Sequence, residues 1–190
     1  MEGCAVWFVG LPGSGKSSIA RCVVRNLKAE GLPVLYLEMD ARRKDYFPIP
    51  TYSQKERKQA YEMFVEEACR YVTSGKIVIM DGSAPQRFMR DTARINIPKF
   101  AEIMVQCSVQ TAMEREATRA AGKVMADLYA KALERKKTGK EVDGLGQVIG
   151  VDVPFEENPE AEFVLDNQNL SKEESCRRAM AFLDSWLNNA

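Results

Sequence analysis

The chain has 190 residues, 45% of them hydrophobic and 28% charged, which suits one well-buried soluble domain and is short for two. Lys plus Arg equals Asp plus Glu at 27 each, so net charge gives no pull toward long nucleic acid or an acidic membrane and leaves small anions as partners. Histidine is absent, which excludes Ser-His-Asp and Cys-His catalysis and any His-liganded metal, and leaves acid–base work to carboxylates, lysines and hydroxyls.

Short apolar runs alternate with longer amphipathic stretches. CAVWFV (4–9) reads as a buried strand, followed by a glycine-rich loop. In SSIARCVVRNLKAE (17–30), Ile19, Val23, Val24 and Leu27 recur at helical spacing and Gly31 suits the stop. PVLYLEMD (33–40) reads as a second strand ending on Asp40. The stretch 53–75 has Ser53 as N-cap, a long amphipathic body and Gly75 at its end. KIVIMDG (76–82) is a third strand, again ending on an acid, Asp81. An arginine-rich segment leads to a fourth strand at 101–109. Residues 110–140 are helical and basic near their end, and 141–160, rich in Gly, Pro and acid, read as loop. A last strand (162–167) and a closing helix (171–188) finish the pattern. Strands alternating with helices imply right-handed βαβ units and an α/β three-layer sandwich, a parallel sheet covered by helices on both faces. Such sheets bind ligands at the carboxyl ends of their strands, where the notable residues fall. No linker divides residues 1–190, so one domain is expected.

The five cysteines (Cys4, Cys22, Cys69, Cys107, Cys176) are scattered and form no C-x-x-C pair. They read as small reduced thiols of a cytoplasmic protein rather than a disulfide or zinc framework. Met1-Glu2-Gly3 runs at once into strand, so no signal peptide is expected, and no segment approaches the roughly 20 apolar residues of a membrane span.

GLPGSGKSS at 10–18 matches G-x-x-x-x-G-K-[ST] in full. Glycines Gly10, Gly13 and Gly15, with Pro12, Ser14 and Ser18, let the backbone wrap an anion with its amides pointing inward. The following helix adds its positive dipole end. Lys16 reaches the β- and γ-phosphates and Ser17 holds Mg²⁺. The strand before and the helix after supply the context that separates a P-loop, the core of an NTPase fold, from a chance glycine turn. No NKxD-type guanine signature is present, and the size is wrong for a motor. A basic lid-like segment at about 115–147, with Arg115, Arg119, Arg135, Lys136, Lys137 and Lys140, suits a small-molecule kinase that closes cations over the transferred phosphoryl group. Taken singly, most of these cations read as a solvated helix face. Asp81 caps the strand beside the glycine loop as an acid that holds the Mg²⁺ water shell or the acceptor hydroxyl. Its bland reading is a turn aspartate before Gly82.

The P-loop, then LEMD (37–40), YSQKERK (52–58), APQRFMRDTAR (84–94), LYAKA (128–132) and GVDVPFEENPEAEFVLDN (150–167) follow one another in an order that resembles the adenylylsulfate kinases over nearly the whole chain. The resemblance implies transfer of the ATP γ-phosphoryl group to the ribose 3′-hydroxyl of adenylyl sulfate, giving 3′-phosphoadenylyl sulfate, with Mg²⁺ and in a homodimer. It implies that Asp40 orients the acceptor hydroxyl, an ordinary aspartate of pKa ~3.9 being a weak base. Arg43, Arg57 and Arg87 would grip the acceptor's phosphate and sulfate with their planar forks. Tyr52 would pack near the acceptor base, Lys131 would sit near the transferred phosphate, and Arg115 near the ATP adenine. Asp152, Pro154, Phe155 and Glu156 would form a covering loop. Arg57 has a second reading as the partner of a Glu on its own helix, and Tyr52 as core.

Departures gather on the acceptor side. Ala84 stands where the family places a serine, although Ser83 adjoins it. Ala60 stands for an asparagine, Val148 for an aromatic, and Glu38-Met39-Asp40 for D-G-D. Two other readings stay open: a kinase of this fold acting on another small anionic or nucleotide hydroxyl, and a nucleotide-binding regulatory module with little turnover.

Overall fold

The computed structural model describes residues 2–118 and 127–188. Five strands form one parallel sheet in the order β2-β3-β1-β4-β5. They are β1 (Cys4–Val9), β2 (Val34–Glu38), β3 (Ile77–Asp81), β4 (Phe100–Gln106) and β5 (Phe163–Asp166). The helices are α1 (Lys16–Ala29), α2 (Met39–Tyr46), α3 (Gln54–Thr73), α4 (Arg87–Asn96), α5 (Val109–Ala117), α6 (Leu128–Thr138) and α7 (Lys172–Asn188).

The two-residue period of a strand decides which helices cover which face. Ala5, Trp7 and Val9 of β1 pack with Ala60, Phe64 and Ala68 of α3 and Met89 and Ala93 of α4. Cys4, Val6 and Phe8 point the other way, onto Ile19, Val23 and Leu27 of α1 and Ala179 and Leu183 of α7. Every residue of β1 is buried, as a strand covered on both sides requires. Each fully buried Val, Leu or Phe contributes about 1.5–3 kcal/mol. The three-layer α/β sandwich is therefore the observed architecture.

Ser53 caps α3 as its sequence suggests: its Oγ accepts the Glu56 N–H at 3.3 Å. Glu56 reaches back and accepts the N–H groups of Thr51 and Tyr52, which ties down the loop before the helix. The end of β2 needs correction. The strand stops at Glu38, and Asp40 lies in the first turn of α2, exposed, rather than at a strand terminus. MDARRKD lacks the apolar alternation that a strand needs, and an acid in a first helical turn faces a favourable dipole.

A second correction concerns the thiols. Cys22 of α1 and Cys176 of α7 form a disulfide, with Cα atoms 6.0 Å apart and a sequence separation of 154. Only the packing of both helices on one sheet face brings them together. Cys4, Cys69 and Cys107 are free.

The lid-like segment carries a small core of its own. Ala112 of α5, Tyr129 and Ala132 of α6, and Leu145 and Val148 of the following loop pack together against Leu11. Arg119 lies outside the described residues. Because all strands run one way, Val9, Glu38, Asp81, Gln106 and Asp166 end along one edge, and the loops that follow them meet there.

Candidate active site

The glycine loop leaves the central strand at this edge. Gly15 has φ +99° and caps α1 without any side-chain bond. The first N–H groups of α1, at Lys16 and Ser17, precede any intrahelical acceptor and open toward an anion. Gly13 is required twice over: its φ is +85°, and a Cβ there would lie 2.2 Å from the Ala112 carbonyl oxygen. Three contacts hold the loop's shape. Ser14 N–H donates to the Leu11 carbonyl at 3.0 Å, Asn167 Nδ2 donates to the Ser14 carbonyl at 2.7 Å, and Tyr129 Oη donates to the Pro12 carbonyl at 2.8 Å. Lys16 Nζ rests on the Leu11 carbonyl at 3.4 Å. Ser18 is exposed on the first turn of α1, while Gly10 starts the loop with its N–H 3.5 Å from the Ser83 carbonyl.

Asp81 lies one strand over, in register with Phe8. It is 2% exposed. Its Oδ2 accepts the Tyr36 hydroxyl at 2.6 Å, and its Oδ1 is buried without a partner among the described residues. Burial pushes its carboxyl above the ordinary range, while Lys16 and the hydroxyls of Tyr36 and Ser17 pull it down. A folded-state pKa above the unfolded one gives stability that is full at low pH and lost as pH rises through the folded value. Asp81→Asn should therefore melt above the wild type near about pH 7, with the gap closing toward about pH 4. Calorimetric melting without nucleotide or metal checks this, and a gap that is absent or grows in acid would overturn it.

The acceptor-side arginines fare differently. Arg43 is buried and paired through Nη1, which meets Glu56 Oε1 at 2.9 Å; its guanidinium lies 5.1 Å from the Tyr52 ring centre, and its Nε has no partner among the described residues. Arg57 is buried too, but only its Nη2 is used, on the Gln147 carbonyl at 2.6 Å; Nη1 has no partner among the described residues. Arg57 thus bonds a distant loop rather than a glutamate of its own helix. Tyr52 is half-buried with φ +54°, and Asp40 is near enough to press on both the Tyr52 and Tyr61 hydroxyls. Arg87 is half-exposed and meets Glu160 at 3.5 Å, so it faces the covering loop. Ser83 is half-buried beside the cradle, and Lys131 is half-buried on α6.

The covering loop is fastened from below. Arg90 and Glu102, both fully buried, meet at 3.0 Å. Arg90 also donates to the Glu156 carbonyl and lies 5.1 Å from the Phe155 ring centre. Asn158 Nδ2 donates to Glu102 Oε2 at 2.8 Å, and Glu162 accepts the Glu102 N–H at 2.7 Å. Phe155 is therefore anchored into the α3–α4 core. Asp152 accepts the Val148 N–H at 2.7 Å and Arg135 Nη2 at 2.6 Å, which joins α6 to this loop. Arg115 donates to the Asn167 and Gln168 carbonyls at 2.9 and 3.1 Å, beside the cradle.

Arg90, Glu102, Tyr61, Tyr129 and Asn167 escaped the sequence reading. An acid inside the apolar run AEIMV was the visible signal for Glu102. Nothing local marked the others, whose partners lie far away in the chain.

A parallel sheet with its phosphate cradle on the central strand, a buried acid on the neighbouring strand and basic helices above them define a P-loop phosphotransferase. Its kin are specific. The family described as adenylylsulphate kinase matches residues 2–166, and this chain belongs to that family. An adenylyl-sulfate kinase of Bacillus pumilus is 31% identical over 180 residues, 94% of this chain and 83% of that one. One of Bacillus velezensis is 30% identical over 184 residues, 96% of this chain and 85% of that one. A solved Mycobacterium tuberculosis APS kinase in complex with AMPPNP and APS superposes with TM-score 0.79 at 25% identity, covering 96% of this chain and 98% of that one.

Proposed function

We infer that this chain transfers the γ-phosphoryl group of ATP to the ribose 3′-hydroxyl of adenylyl sulfate, giving 3′-phosphoadenylyl sulfate. The observation that carries this reading is a complete phosphate cradle sharing one sheet edge with a buried arginine, Arg57, whose Nη1 is unpaired. A buried unpaired guanidinium N–H is costly unless an anion claims it.

The cradle amides and Lys16 neutralise the β- and γ-phosphates, and Arg115 lies beside the cradle on the adenine side. Asp40 takes the hydrogen bond of the acceptor hydroxyl and aims it. Arg57, with Arg87 and Lys131 above, holds the anionic groups. Tyr52 and Phe155 wall the acceptor side, and the segment 115–147 acts as the lid. Arg43 serves by holding Glu56 and Tyr52 in place rather than by gripping the acceptor. Phosphoryl transfer asks for positioning and charge neutralisation, and no covalent intermediate is needed.

Mg²⁺ belongs to the same reading. The unpaired Asp81 Oδ1 and the Ser17 hydroxyl form a hard-oxygen set, which suits a cation held by one carboxylate, waters and substrate phosphates. When bound, Mg²⁺ neutralises the charge that develops on the transferred group.

The homodimer of the family resemblance is part of the proposal, and light scattering at twice the chain mass checks it. So is a cytoplasmic setting, where ATP is supplied. Among the described residues no helix is long and apolar enough to cross a membrane. The Cys22–Cys176 bridge runs against that setting, since cytosolic disulfides are rare.

An ADP-release assay with ATP, Mg²⁺ and adenylyl sulfate, blanked with Lys16→Ala, tests the function. Lys16-dependent release with 3′-phosphoadenylyl sulfate as product is expected, and chelation should abolish it. Intact ATP binding without turnover on adenylyl sulfate would overturn the acceptor and turn the search to other anionic hydroxyl compounds.

A further inference from the structure

Tyr61 is a buried ionisable group that none of the steps above uses. It sits on α3, 3% exposed, with its ring 5.8 Å from Trp7 and 6.5 Å from Phe64, centre to centre. Its hydroxyl lies beside the turn that follows β3. Gly82 makes room for it: a Cβ there would lie 3.4 Å from Tyr61 Cε1 and 3.0 Å from Met39 Cβ. The hydroxyl oxygen accepts the Ala84 N–H at 2.7 Å. Ala84 holds φ +42°, a left-handed conformation that an alanine adopts only when its surroundings impose it. Tyr61 thus pins the turn after β3.

That bond spends the oxygen and leaves the proton. Among the described residues no acceptor receives the Tyr61 O–H. Neither Ala60 beside it nor Ala84 opposite it brings a polar side chain. The groups whose charges reach the hydroxyl are Arg43, Arg57 and Asp40, and Arg43 is itself offset by Glu56 at 2.9 Å. Arg57 lies one helical turn before Tyr61 on α3, and its Nη1, like Nε of Arg43, is a buried donor without a partner among the described residues. Unspent donors on a hydroxyl and on neighbouring guanidinium groups suit an anionic oxygen, such as one of a tetrahedral oxyanion.

We propose that the Tyr61 hydroxyl donates, beside Arg57, to an oxygen of the acceptor's phosphosulfate group. This makes Tyr61 an acceptor-binding residue, and it rests on the acceptor reading given above.

Tyr61→Phe in the full chain removes one oxygen and keeps the ring. Calorimetric titration with adenylyl sulfate, and separately with inorganic sulfate, both in the presence of ADP, reads the effect. Both affinities should fall about tenfold or more, as for loss of a hydrogen bond to a charged group. ADP affinity and melting temperature should stay near the wild type. Unchanged sulfate and adenylyl sulfate binding overturns the proposal. Equal losses of ADP affinity and thermal stability also overturn it, because Tyr61 would then be holding the fold. Wild type that binds sulfate but not adenylyl sulfate, with sulfate binding lost in Tyr61→Phe, removes the acceptor identity and keeps the oxyanion site. Wild type that binds neither removes both. Labelling the wild type with ¹³Cζ-tyrosine gives a reading independent of the variant: sulfate should move the resonance of a buried tyrosine, and an unmoved spectrum counts against the site.

Discussion

Lys16→Ala should lower turnover by about 10²–10³-fold and leave the fold intact. Removing one preorganised donor from a charge-developing site costs about that much. Lys16 sits in the first turn of α1, and among the described residues its side chain makes one long hydrogen bond, 3.4 Å to the Leu11 carbonyl. Such a bond is given up at small cost when a phosphate arrives. The cradle's own framework runs through Asn167, Tyr129 and the Ser14 N–H, none of which involves the lysine side chain. Melting temperature without nucleotide should therefore barely move. Steady-state kinetics with saturating ATP, alongside thermal unfolding, check both halves. Turnover within tenfold of the wild type would remove Lys16 from the chemistry. A collapse in stability would make its role structural.

The largest stability effect should come from the covering loop's anchor. Glu102→Ala leaves Arg90 charged, fully buried and without its ion-pair partner, and should destabilise the fold by about 3–5 kcal/mol. Urea unfolding would show this as an earlier midpoint. The double replacement Arg90→Met with Glu102→Leu should recover most of the loss, because well-packed apolar side chains often replace a buried pair at little cost. Acceptor KM should stay raised in the double variant. Arg90 holds the Glu156 carbonyl and the face of Phe155, and Glu102 holds Asn158, so the loop loses these ties whatever the core regains. A double variant with ordinary KM would mean that the loop is positioned by Glu162, Asp152 and its own turns instead.

Much of the molecule was legible in the chain. CAVWFV gave the first strand to the residue and KIVIMDG the third within one at each end, since strands buried on both faces must be apolar throughout, while AEIMVQCSV overran the fourth by three residues, where Ser108 caps α5 instead. The glycine loop was legible because few residue types can wrap an anion. Ser53 was legible as a cap because its partner is three residues away. The reading failed where partners are distant or the local signal is weak. MDARRKD carried too little apolar content to show that β2 gives way to α2 at Met39, so Asp40 was placed on the wrong element. Cys22 and Cys176 showed no sign of each other across 154 positions. Among the arginines, charge was visible and use was not: Arg43 turned inward to Glu56, while Arg57 reached the Gln147 carbonyl of a distant loop.

The sequence by itself determined the parallel sheet, the phosphate cradle and the kinship, because these rest on period, on glycine's conformational freedom and on contiguous motifs. Only the tertiary structure decided which charges meet each other and which remain for a ligand. That choice depends on burial and on contacts between residues far apart in the chain, such as Arg90 with Glu102, Asn167 with Ser14 and Tyr61 with Ala84, and no local pattern encodes them.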